Sequence, residues 1–277
     1  MRLPYLRVLV TSMKDPASQT IKRVLVNEHG FRPTGSYFEQ SPIYGLGTAT
    51  LLITTSEDMI QCEHLEANFD AEAFIFCSRH RAQSGQPALL VHSTGNFGDD
   101  TSFGGLPRSL SVSSASLVAA GLRRLKEESE TRKLTEFDVT MEVTHHGPTT
   151  MRTPLVFVEL GSDEAYWTHE EGARAVAGAA LACAQVKIGQ ECAIAFGGTH
   201  YASKFTSLVL EGRFRIGHIA PKYALDGISP DVIRQMVSRS SDKVVTALVD
   251  WKGTNAPQRE RFMPVLEELG IDVVRAR

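Results

Sequence analysis

The chain has 277 residues, 42% hydrophobic and 22% charged, the balance of an ordinary soluble protein large enough to bury a sizeable core. It contains no apolar run of the roughly 18 to 20 residues that a membrane-spanning helix needs, and its first residues lack a signal-peptide pattern, so a cytoplasmic protein away from membranes is expected. The net charge of −3 argues against a general polyanion binder, although residues 203–277 carry 12 Lys+Arg against 9 Asp+Glu and leave room for one phosphate-bearing partner.

An apolar run at 8–11 predicts a strand, and the spacing over 16–29 predicts a helix. Strands follow at 50–54, 73–78 and 88–92. Residues 93–112, rich in glycine, serine and aspartate, interrupt this pattern and read as a long functional or mobile loop. A helix at 114–131 leads to strands at 138–144 and 155–160. The helix expected at 169–187 opens on Thr168-x-x-Glu171, which has the form of a capping box. A strand at 192–196, a short helix at 203–211 and a strand at 214–219 come next. Ser229-Pro230 offers an N-cap and a first-turn proline for a helix at 230–239. A strand at 244–249, a helix at 257–269 and a strand at 271–274 complete the chain. Such alternation predicts an α/β fold, a mixed and mainly parallel sheet with helices on both faces, in a single domain over 1–277.

The four cysteines form no Cys-x-x-Cys pair, and Cys77 and Cys183 lie in apolar runs, so they read as reduced core residues and not as zinc ligands. A G-x-S-x-G elbow, a phosphate-binding P-loop, an H-E-x-x-H motif and a dinucleotide-binding glycine motif are all missing, which removes the common serine hydrolase, nucleotidase and dehydrogenase readings.

Histidine placement carries the remaining chemistry. His80, His92, His145, His146 and His200 fall at or just beyond predicted strand ends, where open α/β sheets bind ligands in the crevice past their carboxyl edges, and His218, in the strand expected at 214–219, is a sixth candidate. Strand alternation would place Glu142, Thr144 and His146 on one face and His145 on the other. Glu159 stands within the apolar run 156–160, where an acid needs a cation, a donor or solvent. Gly197-Gly198 precedes His200 and Tyr201, and its N–H groups are candidates to steady an oxyanion. Lys222 and Tyr223 suit contact with a phosphate or a carbonyl. Histidines with carboxylates and no thiols favour zinc or a similar ion and hence metal-assisted hydrolysis, while leaving ligation, acid–base work and plain structural hydrogen bonding open for each ring.

Six blocks then occur in order: Ser78-Arg79-His80, Val91-His92-Ser93-x-Gly95-Asn96, Glu142-Val143-Thr144-His145-His146-Gly147-Pro148, Phe157 to Ser162 with Trp167, Gly197-Gly198-x-His200-Tyr201-Ala202, and Gly217-His218-Ile219-x-Pro221-Lys222-Tyr223. Together they resemble the archaeal and plant type of D-aminoacyl-tRNA deacylase, with Thr199 where that family usually has a third glycine. The resemblance implies an α/β fold related to phosphorylases and peptidyl-tRNA hydrolases, zinc, a cytoplasmic location, and hydrolysis of the ester between a D-amino acid and tRNA. No stable protein partner is implied.

The resulting assignment puts His145, His146, His200 and Glu159 in catalysis and His80, His92, Glu142 and His146 at the metal. It puts Tyr201, His218, Lys222 and Tyr223 at the substrate. Lys204, Arg213, Arg215 and Lys222 are the phosphate candidates, with Tyr201 or Tyr223 stacking on the terminal adenine. Other classes stay open: a metal-dependent ester or amide hydrolase that ignores tRNA, a nucleoside phosphorylase-like enzyme, and a non-catalytic tRNA-binding module.

Overall fold

The computed structural model describes residues 6–277. From the amino-terminal side, β1 (Arg7–Ser12) leads into α1 (Pro16–Glu28), strands β2 (Arg32–Phe38), β3 (Ser41–Leu46) and β4 (Thr50–Thr55), short helix α2 (Leu65–Asn68), and strands β5 (Ala73–Arg79) and β6 (Ala88–His92). A small hairpin, β7 (Gly95–Asn96) with β8 (Ser109–Leu110), precedes α3 (Ala115–Thr131), β9 (Asp138–Met141) and β10 (Leu155–Gly161). Then come α4 (Glu164–Trp167), α5 (Glu170–Gln185), β11 (Glu191–Phe196), α6 (Ser203–Leu210) and β12 (Ile216–Ala220). The chain ends with α7 (Pro230–Ser238), β13 (Lys243–Val249), α8 (Ala256–Glu268) and β14 (Asp272–Arg275).

These strands build an eight-stranded sheet in the order β2-β3-β4-β1-β5-β10-β6-β9 and a four-stranded sheet in the order β12-β11-β13-β14. The smaller sheet is parallel throughout, and β4, β1, β5 and β10 run parallel in the larger one. Antiparallel pairings join β2 to β3, β3 to β4 and β10 to β6. The mixed, mainly parallel α/β class read from the sequence is present, divided between two sheets. Strand β2, Arg-Pro-Thr-Gly-Ser-Tyr-Phe, is almost wholly exposed and has no apolar run to announce it.

Side-chain alternation sorts the core of the larger sheet. Val8, Val10, Phe74, Phe76, Leu155 and Phe157 face one side with Met59, Cys62 and Leu65. Leu9, Ile75, Val156 and Val158 face the other, against α1, α3 and α5. Leu117, Val118 and Leu122 of α3 also meet Ala193, Ala195 and Ile219, so α3 lies between the sheets. On its far side the smaller sheet packs Ile194, Phe196 and Val249 on Ile233, Met236, Phe262 and Leu266.

One local expectation needs correction. The capping box at Thr168 does not form. His169 caps α5 instead, its Nδ1 accepting from Gly172 N at 3.0 Å, while Glu171 turns to Arg132 and Arg174. Within residues 93–112, Phe97 and Leu110 enter the core, and Asn96 Nδ2 donates to the carbonyls of Gly104 and Leu106 at 2.9 and 3.2 Å. All four cysteines are free and buried. Among the described residues, no helix is long and apolar enough to cross a membrane.

Candidate active site

The alternation that buries Phe76 and Phe157 brings Ser78 and Glu159 to the same face two residues later. They are register partners on β5 and β10, and Ser78 Oγ donates to Glu159 Oε1 at 2.7 Å. Strand β6 runs antiparallel to β10, which sets His92 opposite Phe157, with ring centroids 5.4 Å apart. The histidine at the end of β6 thus stands over the middle of β10. The site forms on the face of the sheet and not in a crevice beyond a common carboxyl edge.

Residues 142–146 depart from the strand that sequence alternation predicts, because β9 ends at Met141. His146 takes a left-handed conformation, φ 47°, uncommon for a residue with a side chain and found disproportionately at functional sites. That turn lets His145 and His146 approach the same cluster, their centroids 4.3 and 4.8 Å from that of His92. Thr144 points elsewhere, its hydroxyl accepting from Ile219 N at 3.0 Å.

Segment 199–202 joins from the smaller sheet. Val143 N donates to His200 O at 3.0 Å and Ala202 N to Met141 O at 2.9 Å, which fixes His200 beside Glu142.

Glu142 is the centre of the cluster. Its Oε1 lies 2.9 Å from His200 Nε2 and 3.5 Å from His80 Nδ1, and its Oε2 lies 3.8 Å from His92 Nε2 and 4.0 Å from His145 Nε2. Glu159 Oε2 and Oε1 stand 3.5 and 3.6 Å from His80 Nδ1 and His92 Nε2. Both carboxylates are buried, with Glu142 only 1% exposed. Among the described residues, neither Glu142 oxygen nor His92 Nε2 has a hydrogen-bond partner of proper geometry.

Burial pushes His80 and His92 down, but the hydrogen-bonding and charge of Glu159, with Glu142, outweigh it and leave both rings more basic than usual. Burial alone would raise Glu159, yet the two imidazoles hold it well below the usual carboxylate range. His145 is lowered strongly and His146 to about 4, chiefly by burial and then by neighbouring His92, so both are neutral bases at physiological pH.

Three rings are oriented alike. Nδ1 of His92, His145 and His146 lies 3.2, 2.8 and 2.6 Å from the carbonyls of Ser93, Val143 and Gly147. A carbonyl only accepts, so each Nδ1 carries a proton, and in the neutral ring Nε2 keeps its lone pair for the cluster. This is the arrangement by which outer hydrogen bonds orient metal-ligating imidazoles. Ligand-capable atoms converge within 4.8 Å in three groups: His92, His145 and His146; Glu142, His145 and His200; His80, Glu142 and Glu159.

Other candidate residues are placed less uniformly. Tyr201 enters the site, its hydroxyl 3.0 Å from His80 Nε2. Tyr223 stands at the rim, its hydroxyl 3.5 Å from His200 Nδ1, and Lys222 beside it is exposed. His218 is not brought to the cleft: it is fully buried, with Nδ1 and Nε2 on Thr144 Oγ1 and Arg239 O at 3.3 and 3.2 Å, and burial lowers it to about 4. That is a packed structural ring with no face for a substrate. Gly197 N is engaged with Ala220 O at 2.8 Å and is no oxyanion donor.

Of the phosphate candidates, Lys204 is paired with Asp250. Arg213 and Arg215 precede β12, whose far end leads to Lys222, which at about 3.3 Å per residue puts them some 20 Å away.

A cleft of about 450 Å³ opens over the cluster, lined by Ser78, His80, His145, His146, Glu159 and His200 on one side and Met59, Ile60, Phe103 and Phe157 on another. Ser78 stands in the Ser78-Arg79-His80 block with no chemistry of its own to mark it. Its signal was a polar residue two positions after Phe76 on an apolar strand. Phe103 was hidden in the glycine-rich stretch, and nothing in its neighbourhood distinguishes it.

The model of the D-aminoacyl-tRNA deacylase family matches residues 67–274, a span that includes every member of the cluster. The chain belongs to this family. D-aminoacyl-tRNA deacylase of Pyrococcus horikoshii is 32% identical over 98% of this chain and 100% of its own length. The Methanosarcina barkeri deacylase is 35% identical over 96% and 88%. A crystallised conserved protein of unknown function superposes with a TM-score of 0.90 at 29% identity, covering 99% of this chain and 96% of that one.

Proposed function

We propose that the protein is a D-aminoacyl-tRNA deacylase that hydrolyses the ester between a D-amino acid and tRNA, releasing both, with zinc held at the histidine–glutamate cluster. Family membership over nearly the whole chain supports the substrate class. The observation that carries the metal is the common orientation of His92, His145 and His146, together with two buried Glu142 oxygens that lack a hydrogen-bond donor. A buried carboxylate in that state calls for a cation, and nitrogen and oxygen donors without a thiolate suit zinc.

His92, His145, His146 and Glu142 would hold the ion, with His200 and the His80–Glu159 pair completing the neighbouring groups. Bound there, zinc supplies positive charge that polarises an ester carbonyl and makes water more acidic. Around that position the chain's own groups handle protons. His80 is hydrogen-bonded to Tyr201 and lies 3.5 Å from one oxygen of each glutamate, and Ser78 holds Glu159, so this group of side chains can accept a proton and return it to a leaving ribose oxygen. Phe157 and the apolar wall of Met59, Ile60 and Phe103 limit water around the ester.

The test is hydrolysis of matched D- and L-tyrosyl-tRNA by purified protein, with and without chelator and added zinc. D-selective release abolished by chelator and restored by zinc is expected. D-selective release unaffected by chelator would remove the metal and keep the substrate, and no release of either would remove the deacylase reading.

A further inference from the structure

The arginines of the Ser78-Arg79-His80-Arg81 segment have no part in the chemistry above. Ser78 and His80 turn into the cluster, while Arg79 closes β5 and Arg81 follows just beyond it, both at the edge of the cleft. Both guanidiniums lie over the ring of Trp167, at 5.6 and 5.2 Å from its centre, within the range of a cation–π contact. Trp167 is itself fixed, 4% exposed and donating from Nε1 to His80 O at 2.7 Å. One indole thus anchors the backbone of a cluster histidine and sets two cations at the edge of the cleft, which both arginines line.

Two like charges side by side call for an anion. Among the described residues, neither guanidinium forms an ion pair. Arg79 Nη1 donates to Lys14 O at 2.9 Å, and Arg81 is exposed and has no acceptor among the described residues. The nearby carboxylates are engaged elsewhere: Asp15 caps α1 and accepts from Arg79 N, and Asp163 accepts from Ala165 N and Tyr166 N. Lys14 is paired with Glu57. In a chain of net charge −3, with Lys204 paired and Arg213 and Arg215 remote, this stack sets two positive charges on either side of His80 in the sequence, with the charge of Arg79 felt by Asp15 and that of Arg81 in no ion pair among the described residues.

We propose that Arg79 and Arg81, stacked on Trp167, form the site that grips the phosphodiester backbone next to the terminal nucleotide of the substrate tRNA. The inference rests on the deacylase reading and assigns that reading its phosphate contact. Planar guanidiniums suit phosphate oxygens, and a contact to the backbone alone suits an enzyme that accepts many tRNAs. Its position one residue from His80 ties the grip on the strand to the placement of the ester.

Arg81→Ala separates this role from a structural one, because Arg81 is exposed. Steady-state rates are measured on D-tyrosyl-tRNA and on 3′-O-(D-tyrosyl)adenosine, which keeps the ester and lacks the phosphodiester. The expected result is a KM about tenfold or more higher for the tRNA substrate at a kcat within twofold, unchanged kinetics on the adenosine ester, and a slope of log(kcat/KM) against log salt reduced by about one. Arg81→Lys, which keeps the charge and loses the planar stack, should recover part of the loss on the tRNA substrate. Equal losses on both substrates, or no change on either, would overturn the proposal. Failure of the wild-type protein to hydrolyse either ester would remove the deacylase reading and this inference with it.

Discussion

His200 Nε2 lies 2.9 Å from Glu142 Oε1, yet that oxygen receives no well-directed hydrogen bond, and its partner oxygen receives none either. The pair brings together the two sheets, Glu142 extending from β9 of the larger and His200 following β11 of the smaller. A carboxylate at this junction, 1% exposed, is costly to keep without a cation and has little packing value.

Glu142→Gln keeps the shape and removes the charge. We expect kcat/KM on D-aminoacyl-tRNA to fall by at least about 100-fold, the range for groups that support metal binding or proton transfer. Metal-free variant protein should melt at or above the temperature of metal-free wild type, since an uncompensated buried charge is gone. A variant that loses stability and keeps activity would reverse the role given to Glu142. Kinetics paired with melting curves in chelator decide this.

The cluster was partly legible in the sequence. His80, His92, His145, His146, Glu142, Glu159 and His200 could be picked out because strand-end imidazoles and acids in apolar runs stand out against β-sheet patterning. The facing of His145 could not, because it depends on the left-handed turn at His146, and strand alternation has no term for that. His218 misled for the opposite reason. A histidine inside a strand looks the same in sequence whether it ends in a cleft or between Thr144 and Arg239. The split into two sheets was equally invisible, since each strand declares its burial and not its neighbour.

Zinc removal tests the oriented imidazoles. If His92, His145 and His146 hold the ion, chelation should lower the melting temperature by on the order of 5–10 °C at saturating starting zinc. His92→Ala should purify with little bound zinc and show no further drop with chelator. Tyr201→Phe, which alters only the His80 contact, should retain its zinc. Metal analysis showing full zinc in His92→Ala would refute this ligand set.

His218 supplies a pH dependence separate from the cluster. Burial lowers its ring from 6.5 to about 4 in the folded protein. Between those values the unfolded chain binds the proton and the folded one does not, so stability is full above pH 6.5 and falls with pH until the folded ring titrates near 4. The loss attributable to this ring is on the order of 3 kcal/mol. In His218→Gln the unfolding free energy should decline less steeply across that window, by about one proton's worth of slope, whatever the variant's absolute stability. Identical slopes would show that the ring does not titrate in this way.

Asp242 ties α3 to the smaller sheet at the end away from the cleft. It is buried, and its carboxylate accepts from Ser114 Oγ, Ser116 N, Ser116 Oγ, Gly189 N and Gln190 N at 2.6–3.0 Å, tying the start of α3 to the entry of β11. Asp242→Asn turns an NH₂ toward donors and removes charge-assisted bonds. We expect about 2–4 kcal/mol lower stability in denaturant titrations, with kcat/KM on D-aminoacyl-tRNA within about twofold at 25 °C.

Gly161 tests how closely the larger sheet must approach His80. A Cβ at this position would lie 2.6 Å from His80 O and 2.7 Å from His80 Cβ, both too close for any real contact. The carbonyl it would strike also accepts from Trp167 Nε1, and His80 N donates to Leu160 O at 2.9 Å, so His80 has no room to yield on that side. Gly161→Ala should therefore push the imidazole off its contacts with Glu142, Glu159 and Tyr201. We expect a stability loss of about 1–3 kcal/mol, typical of overpacking, and a fall in kcat/KM of more than tenfold on both the tRNA substrate and the adenosine ester. Loss on both substrates separates this change from Arg81→Ala, which should spare the smaller one. Full activity in Gly161→Ala would mean that the position of His80 is not critical to the reaction.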